Sequence, residues 1–337
     1  MILRPRAYIY DRLRLLARLN ANRLLNYLKI QASFGMSRLL SRPVLWSGPF
    51  SVHIETASVC NLKCPECITG MGLTSRHNKF IDMAVVKEKL NQHRKHAFYC
   101  NLYFQGEPFL NPQIAEIINM AKRLNYYTVI SSNGHFLDKR NCLRIIESGL
   151  DKLIISLDGI DSESYSKYRS GGFFIKVIEG IGQMAEAKKK LNKKNPLLVV
   201  QMLVNKSNEH QLDKARNFIK NLGADILEFK SMQIYTEEGR KQFLPSGKRF
   251  NRYSRKEKSD NPVDSRSKGL CARLWSHVVY TSDGLMVPCC YDKKPEYIIT
   301  GDGGLNKGLW GSMQMQYFRA NLFKGEEVPE ICRNCGS

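Results

Sequence analysis

The stretch CNLKCPEC at residues 60–67 carries three cysteines in the spacing C-x3-C-x2-C. Three thiolates this close together can hold one face of an iron–sulfur cube, and the next cysteine along the chain is Cys100. A cube with only three protein thiolates keeps one iron free for another ligand, whereas electron-transfer cubes usually carry four cysteines. The spacing therefore predicts a cluster that takes part in chemistry.

These three cysteines also fit a structural zinc site. Zinc is usually held by four ligands, often as two closely spaced pairs, and His53 or His77 is available as the fourth. The spacing favours an iron–sulfur cluster and leaves zinc open.

From residue 50 onward, short apolar segments alternate with segments of helical periodicity. The predicted strands are 50–56, 98–104, 127–131, 152–157, 197–204 and 225–233. The predicted helices between them are 83–95, 112–124, 139–147, 174–191 and 209–222. Such alternation predicts an α/β fold with parallel strands and helices outside. Six units are too few for the eight-unit barrel.

A C-x3-C-x2-C motif directly after the first strand of such a chain resembles the signature of radical S-adenosylmethionine (SAM) enzymes. The resemblance implies a partial (β/α)6 barrel in which Cys60, Cys64 and Cys67 bind a [4Fe–4S] cluster. In that family SAM chelates the open iron, and one electron splits it into methionine and a 5′-deoxyadenosyl radical that removes hydrogen from a substrate. Many members place an aromatic residue against the adenine where this chain has Glu66.

Polar residues follow three of the predicted strands, at the edge where parallel α/β folds bind ligands. The stretch QGEP at residues 105–108 resembles the family's GGE motif, with glutamine in place of the first glycine. The resemblance implies these SAM contacts: Gly106, Glu107, Ser132, Asn133, Ser156 and Asp158. Ordinary turns use the same residue types, so the alternative that these residues only form turns stays open. No catalytic side chain is predicted.

Five more cysteines lie beyond residue 270: Cys271, Cys289, Cys290, Cys332 and Cys335. The TSDG stretch at residues 281–284 predicts a hairpin. A hairpin and a terminal C-x2-C pair can bring four thiolates to one point. A zinc ribbon is the alternative, because cysteine spacing alone barely distinguishes a zinc ribbon from an iron–sulfur cluster.

This tail resembles the SPASM and twitch domains that follow some radical SAM barrels. It lacks the later cysteines of a full SPASM domain, so the resemblance implies the shorter twitch type with one auxiliary [4Fe–4S] cluster. The layout resembles that of 2-deoxy-scyllo-inosamine dehydrogenases. The implied ligands are Cys271, Cys289, Cys332 and Cys335, while Cys290 points the other way if the strand continues.

The formal net charge is +21, and residues 1–49 carry nine Lys or Arg against one acid, Asp11. The segment from Tyr10 to Ile30 predicts one amphipathic helix. Its apolar positions include Leu13, Leu16, Leu24, Leu25 and Leu28. Such a helix either packs on the barrel with a solvated basic face or lies on an anionic membrane.

The predicted domains are a basic helical segment (1–49), the radical SAM barrel (50–235), a polar basic linker (236–264) and the twitch/SPASM-type domain (265–337). Ten cysteines without a secretory signal indicate a reducing compartment. No apolar run reaches about 18 residues. We expect a cytoplasmic protein, with a candidate peripheral contact at the inner face of the membrane through residues 1–49. No nucleic-acid partner is expected.

The residues and the resemblance together favour a radical SAM oxidoreductase. Its substrate would be a small molecule such as a sugar or cyclitol, and the auxiliary cluster would accept an electron. An external one-electron reductant such as flavodoxin or ferredoxin is implied. A peptide-modifying maturase is the first alternative, and a zinc-bearing nucleic-acid-binding protein is a remote one.

Overall fold

The computed structural model describes residues 1–253, 271–300, 308–324, 329–333 and 335. Its strands are β1 (Ser51–Ile54), β2 (Tyr99–Asn101), β3 (Tyr127–Ser132), β4 (Lys152–Ser156), β5 (Leu197–Val204), β6 (Ile226–Ser231), β7 (His277–Tyr280) and β8 (Met286–Val287). They form one eight-stranded sheet in the order β6-β5-β4-β3-β2-β1-β7-β8.

Strands β1 to β6 are all parallel, and each pairs with its successor along the chain. Their helices are α3 (Met83–His93), α4 (Ile114–Arg123), α5 (Lys139–Glu147), α6 (Ser162–Tyr168), α7 (Phe174–Lys190) and α8 (Leu212–Asn221). Aspartates cap three of them, since the side chains of Asp82, Asp138 and Asp161 accept from backbone N–H groups of the first turn. The open barrel of six β/α units confirms the predicted fold class.

The hairpin β7–β8 extends the same sheet, because β7 pairs in parallel with β1 and antiparallel with β8. Its turn includes Gly284 at φ +77°, and Gly284 N donates to Thr281 O at 2.9 Å. The helices around it are α10 (Arg273–Ser276), α11 (Met313–Lys324) and α12 (Glu330–Arg333). The predicted hairpin is therefore present and is continuous with the barrel.

The expectation of a single helix over residues 10–30 is wrong. The segment forms α1 (Pro5–Leu16) and α2 (Ala21–Leu40). The break falls at Asn20, whose backbone is extended. Its side chain caps α2 by accepting from Arg23 N at 3.0 Å. An N-cap asparagine starts a helix more readily than it continues one.

The polar faces of α1 and α2 lie against the amino ends of the strands. Arg23 is buried, and its guanidinium donates to Leu124 O at 2.9 Å and Arg94 O at 3.0 Å, which end two neighbouring helices. Asp11 accepts a hydrogen bond from the Tyr127 hydroxyl at the start of β3. The two helices therefore cover the end of the barrel opposite its ligand-binding edge.

The predicted irregular linker begins instead with α9 (Glu237–Phe243). Thr236 caps it by accepting from Gly239 N at 2.8 Å, and Phe243 is buried. The rest of the predicted linker, residues 254–264, lies outside the described residues. Among the helices that the structure describes, none has the length and apolar character needed to cross a membrane.

Candidate active site

A cavity of about 460 Å³ lies at the carboxyl ends of the barrel strands. Cys60, Cys64 and Cys67, which we call the first cysteine set, form one wall. Strand ends supply others, through Gly106, Glu107, Ser131, Ser132, Asn133, Ser156, Gln201, Lys230 and Ser231. The cavity therefore brings the first cysteine set together with every predicted SAM contact except Asp158.

Backbone contacts fold the cysteine stretch into a tight loop. Cys67 N donates to Cys64 O at 3.2 Å, and Leu62 N donates to Cys60 Sγ at 3.4 Å. Gly70 fits directly against this loop, since a Cβ at residue 70 would lie 2.4 Å from Cys64 O. The compact loop turns all three cysteines toward one cavity.

Burial disfavours negative charge on the thiols of Cys60 and Cys64. It raises the pKa of Cys64 to about 11 and also raises the pKa of Cys60. Nearby Cys67 adds to both shifts, because each thiolate repels the next. A metal centre reverses this balance, since it binds the thiolate form.

The spacing of the cysteines fits a cluster better than a single ion. All ten cysteines are among the described residues and are free thiols. Within the described ranges, no three His, Cys, Asp or Glu side chains converge closely enough to hold one metal ion. A cube distributes its thiolates over different irons. Three thiolates on one wall of the cavity therefore fit a [4Fe–4S] cluster.

The turn at residues 105–107 packs on the base of the cysteine loop. Gly106 has φ +69°, and a Cβ there would lie 2.3 Å from Ala57 O. Glu107 N donates to Val59 O at 2.8 Å. Only glycine accepts both this conformation and this close approach.

Glu107 is buried, and its carboxylate joins the ends of β2 and β3. It accepts from Phe109 N at 3.0 Å, Ser132 Oγ at 2.9 Å and Asn133 N at 2.7 Å. Burial raises the pKa of Glu107 to about 7. A carboxylate offers about four acceptor positions, so one stays available to a cation in the cavity.

Asn133 holds the cysteine loop from the other side. Its Nδ2 donates to Asn61 Oδ1 at 2.7 Å and lies 3.7 Å from Cys60 Sγ. Asn133 therefore positions the first cysteine, in addition to lining the cavity.

Asp158 lies behind the cavity wall, while Ser156 lines the cavity. One oxygen of the Asp158 carboxylate accepts from Arg169 Nε at 2.6 Å, and the other accepts from Leu203 N at 2.6 Å. With both oxygens occupied, Asp158 orients Arg169. Its predicted direct contact with SAM stays a prediction.

Arg169 is a site residue that the sequence did not identify. It lines the cavity, and its guanidinium NH1 lies 3.9 Å from Cys64 Sγ. It follows α6, a helix that the sequence pattern also missed. A lone arginine in a GS-rich stretch gives no signal of its own, because its position depends on the long-range pair with Asp158.

Glu66, the residue before the third cysteine of the set, binds a different part of the chain. Its carboxylate accepts from Tyr235 N at 2.6 Å and from Thr236 N at 3.3 Å. Gly239 packs directly on it, since a Cβ there would lie 1.7 Å from Glu66 Oε1. Glu66 thereby ties the cysteine loop to the start of α9.

Cys271, Cys289, Cys332 and Cys335, the second cysteine set, gather beside the β7–β8 hairpin. Burial raises the pKa of Cys332 to about 12, and Cys271 and Cys335 add to this shift. Burial also raises the pKa of Cys289, with contributions from Cys332 and Cys271. The four cysteines are therefore electrostatic neighbours.

Cys290 and Lys293 lie between the two cysteine sets. Burial raises the pKa of Cys290, while Arg273 and Lys293 oppose the shift. Lys293 lines the cavity, and its Nζ donates to Gln233 Oε1 at 3.0 Å. The second cysteine set thus approaches the cavity through the segment at residues 290–293.

A buried ion pair braces this arrangement. Arg76 Nε donates to Glu55 Oε2 at 2.9 Å, just after β1. Arg76 also donates to Lys293 O, and Ser282 N donates to Glu55 Oε2 at 2.9 Å. The pair links the chain after the first cysteine set to the hairpin beside which the second set lies.

The sequence matches the radical SAM superfamily over residues 54–219 and the iron–sulfur cluster-binding SPASM domain over residues 271–336. Each cysteine set falls inside one of these matches. The chain belongs to the radical SAM superfamily. Its cofactors are [4Fe–4S] clusters and SAM.

Two curated relatives of this radical SAM protein differ in activity. The PqqA peptide cyclase of Gluconobacter oxydans is 23% identical over 310 residues, which cover 86% of this chain and 83% of the relative. The GTP 3′,8-cyclase of Limosilactobacillus fermentum is 26% identical over 229 residues, or 65% of each chain. This radical SAM protein thus spans just under two thirds of the second relative.

Solved radical SAM structures share its fold. BtrN in complex with AdoMet and 2-DOIA has a TM-score of 0.50 at 17% identity, covering 86% of this chain and 93% of that one. Streptococcus suis SuiB bound to S-adenosylmethionine has a TM-score of 0.58 at 15% identity, covering 83% and 68%. At such identities the likeness shows the fold alone.

Proposed function

We propose that this radical SAM protein is an oxidoreductase that removes hydrogen from a small molecule such as a sugar or cyclitol. The first cysteine set would hold the cluster that binds SAM, and the second would hold an auxiliary cluster. The observation that carries the proposal is the second set itself. Four cysteines would satisfy every iron of a cube, so such a cluster would have no open iron for SAM and would suit electron transfer.

When bound at the first cysteine set, the reduced cluster supplies the electron that splits SAM. The chain's own residues hold and orient the ligand. Asn133 and the turn at 105–107 fix the loop on which the cluster sits. Glu107 keeps one acceptor position for the methionine ammonium, which implies a charge-assisted hydrogen bond.

Arg169 places a cation 3.9 Å from Cys64 Sγ, and we assign it to the methionine carboxylate. An arginine fork matches a carboxylate in geometry and in charge. Asp158 acts as a positioning residue, because its hydrogen bond at 2.6 Å fixes the guanidinium. Ser156 and Ser132 remain as hydroxyl partners for the ribose or for SAM's other polar groups.

The part of the cavity that faces β6 and the second cysteine set is basic. It includes Lys230, Arg252 and Lys293. Within the described residues, neither Arg252 nor Lys293 forms an ion pair with a carboxylate, although Lys230 lies 3.5 Å from Glu228. This charge favours a substrate that carries an anionic group, since a cavity lined by one sign of charge attracts the opposite sign.

The oxidation then balances in electrons. SAM bound at the first cysteine set would supply the radical that takes one hydrogen atom from a substrate carbon. A cluster at the second cysteine set would accept the one further electron, with loss of a proton, that leaves a carbonyl or another double bond. The buried contact between Arg76 and Lys293 would fix the two cysteine sets relative to each other for this electron transfer.

Peptide modification is the second candidate. It is favoured by the similarity to PqqA peptide cyclase over 86% of this chain. SuiB in complex with the precursor peptide SuiA also shares the fold, with a TM-score of 0.58. Both candidates use the same chemistry at the first cysteine set, so they differ only in substrate.

The test uses the full chain, reconstituted with iron and sulfide without oxygen. Cys332→Ala with Cys335→Ala should leave reductant-driven release of 5′-deoxyadenosine intact and abolish substrate oxidation. Cys142→Ala is the matched control, because Cys142 is buried in the barrel core. Loss of 5′-deoxyadenosine release in a variant with an unchanged circular dichroism spectrum would contradict the electron-acceptor role. Turnover of a peptide, and of no sugar or cyclitol, would select the second candidate.

A further inference from the structure

The outward faces of α1 and α2 are apolar. On α1, Leu13 is 59% exposed, and Ile9 and Leu16 are exposed beside it. On α2, Leu39 is 78% exposed, and Leu24 and Leu28 are exposed on the same face. The three α1 positions lie four and three residues apart. On α2, Leu24 and Leu28 lie one turn apart and Leu39 about three turns further along, so each helix exposes leucines on one face.

The inward faces of the same helices mix apolar residues, such as buried Ile30 and the ring of Phe34, with an unusual number of polar ones. Their buried polar residues are Asp11, Arg23, Asn26, Ser33 and Ser37. A helix that packs on a globular core normally turns its apolar stripe inward. Here the barrel end offers backbone carbonyls, and Arg23 and Asn26 bind them. The apolar stripes are therefore left for another surface.

Basic residues surround these stripes. The exposed ones are Arg4, Arg6, Arg12, Lys29, Arg38 and Arg42. The only acid in residues 1–49 is Asp11, which is buried against Tyr127. The outer surface of both helices thus combines exposed leucines with positive charge and has no exposed acid.

We propose that α1 and α2 dock the protein on an anionic lipid surface. A helix that lies on a membrane buries leucines in the interface and pairs its basic residues with anionic head groups. Exposed apolar patches of this kind mark interaction sites, and the charge selects lipid over a neutral protein surface. The proposal does not depend on the substrate proposed above.

The position of the helices sets the orientation of the docked protein. They contact residues that precede strands, such as Leu124 and Arg94, and the SAM cavity lies at the opposite ends of those strands. The cavity would therefore face away from the lipid. Docking would locate the enzyme at the membrane while its substrate arrives from the aqueous side.

The test is co-sedimentation of the full chain with vesicles of phosphatidylcholine alone or mixed with phosphatidylglycerol. Binding should require phosphatidylglycerol and weaken as NaCl screens the charges. Changing Arg12, Lys29 and Arg38 to Gln should weaken binding about fivefold for each charge removed. Equal binding to both vesicles, or binding to neither, would overturn the proposal.

A leucine variant tests the apolar stripe separately. Leu24→Ser, Leu28→Ser and Leu39→Ser together should reduce vesicle binding at least about tenfold. Ile175→Ser is the matched control, since Ile175 is exposed on α7, away from both helices. Because the three leucines are exposed, the variant should keep its circular dichroism spectrum. If the stripe instead binds a second copy of the chain, light scattering would show a dimer that the leucine variant abolishes and vesicles would not bind, which also overturns the proposal.

Discussion

Replacing Gly106 by Ala tests whether close backbone contact positions the SAM site. Gly106 has φ +69°, and a Cβ there would lie 2.3 Å from Ala57 O and 2.8 Å from Val59 O. The left-handed conformation costs alanine about 1–2 kcal/mol. The contacts are with backbone oxygens, which cannot move aside as a flexible side chain does, so overpacking adds about 1–3 kcal/mol.

Gly72→Ala is the control for this change. Gly72 has φ +71°, but a Cβ there would meet nothing within 4 Å. Both variants therefore carry the conformational cost, and only Gly106→Ala carries the steric one. The difference between them isolates the approach of the turn to the cysteine loop.

The measurements are urea unfolding and calorimetric titration of SAM into the reconstituted protein. Gly106→Ala should be less stable than Gly72→Ala by about 1–3 kcal/mol. Its SAM affinity should fall by about 5- to 150-fold if the strain is relieved by moving Glu107. Equal stability and equal affinity in the two variants would refute the reasoning.

Three further outcomes follow from single contacts. Arg23→Ala should lower the free energy of unfolding by at least about 3 kcal/mol, because several charged hydrogen bonds from a buried guanidinium to backbone carbonyls are lost. Arg12→Ala at an exposed position should change it by about 0.5 kcal/mol or less. A small effect of Arg23→Ala in urea unfolding would count against its capping role. Burial raises the pKa of Glu107 to about 7, so its carboxyl group is protonated and neutral below that pH. SAM affinity should therefore rise from pH 6 to pH 8. A rise that persists in Glu107→Gln would assign the titration to another group. Asp158→Asn should raise the KM for SAM more than it lowers the rate of cleavage, since it frees Arg169; an unchanged KM would remove Asp158 as a positioning residue.

The sequence predicted those parts of the molecule that local patterns encode. Cysteine spacing depends on one loop, and the order of strands and helices depends on short-range periodicity. Both features could be predicted because neither depends on contacts between residues far apart in the chain. The hairpin around Gly284 was predicted for the same reason.

The sequence could not predict features that arise from contacts far apart in the chain. Arg169 enters the site through Asp158 and a helix that propensity did not reveal. Glu66 looked like a missing adenine contact, but its partners are residues 235 and 236. The leucines of α1 and α2 left open whether the apolar face packs on the barrel or on a membrane, because the sequence did not show that Arg23 and Asn26 bind backbone carbonyls at the barrel end.

The first cysteine set is the central claim, and iron content together with SAM cleavage tests it most directly. The reconstituted protein should hold roughly eight irons, and replacing Cys60, Cys64 and Cys67 by Ala should leave about four. The same variant should release no 5′-deoxyadenosine, while Cys142→Ala should behave like the unmodified protein. A triple variant that still cleaves SAM, or that keeps all its iron, would contradict the account.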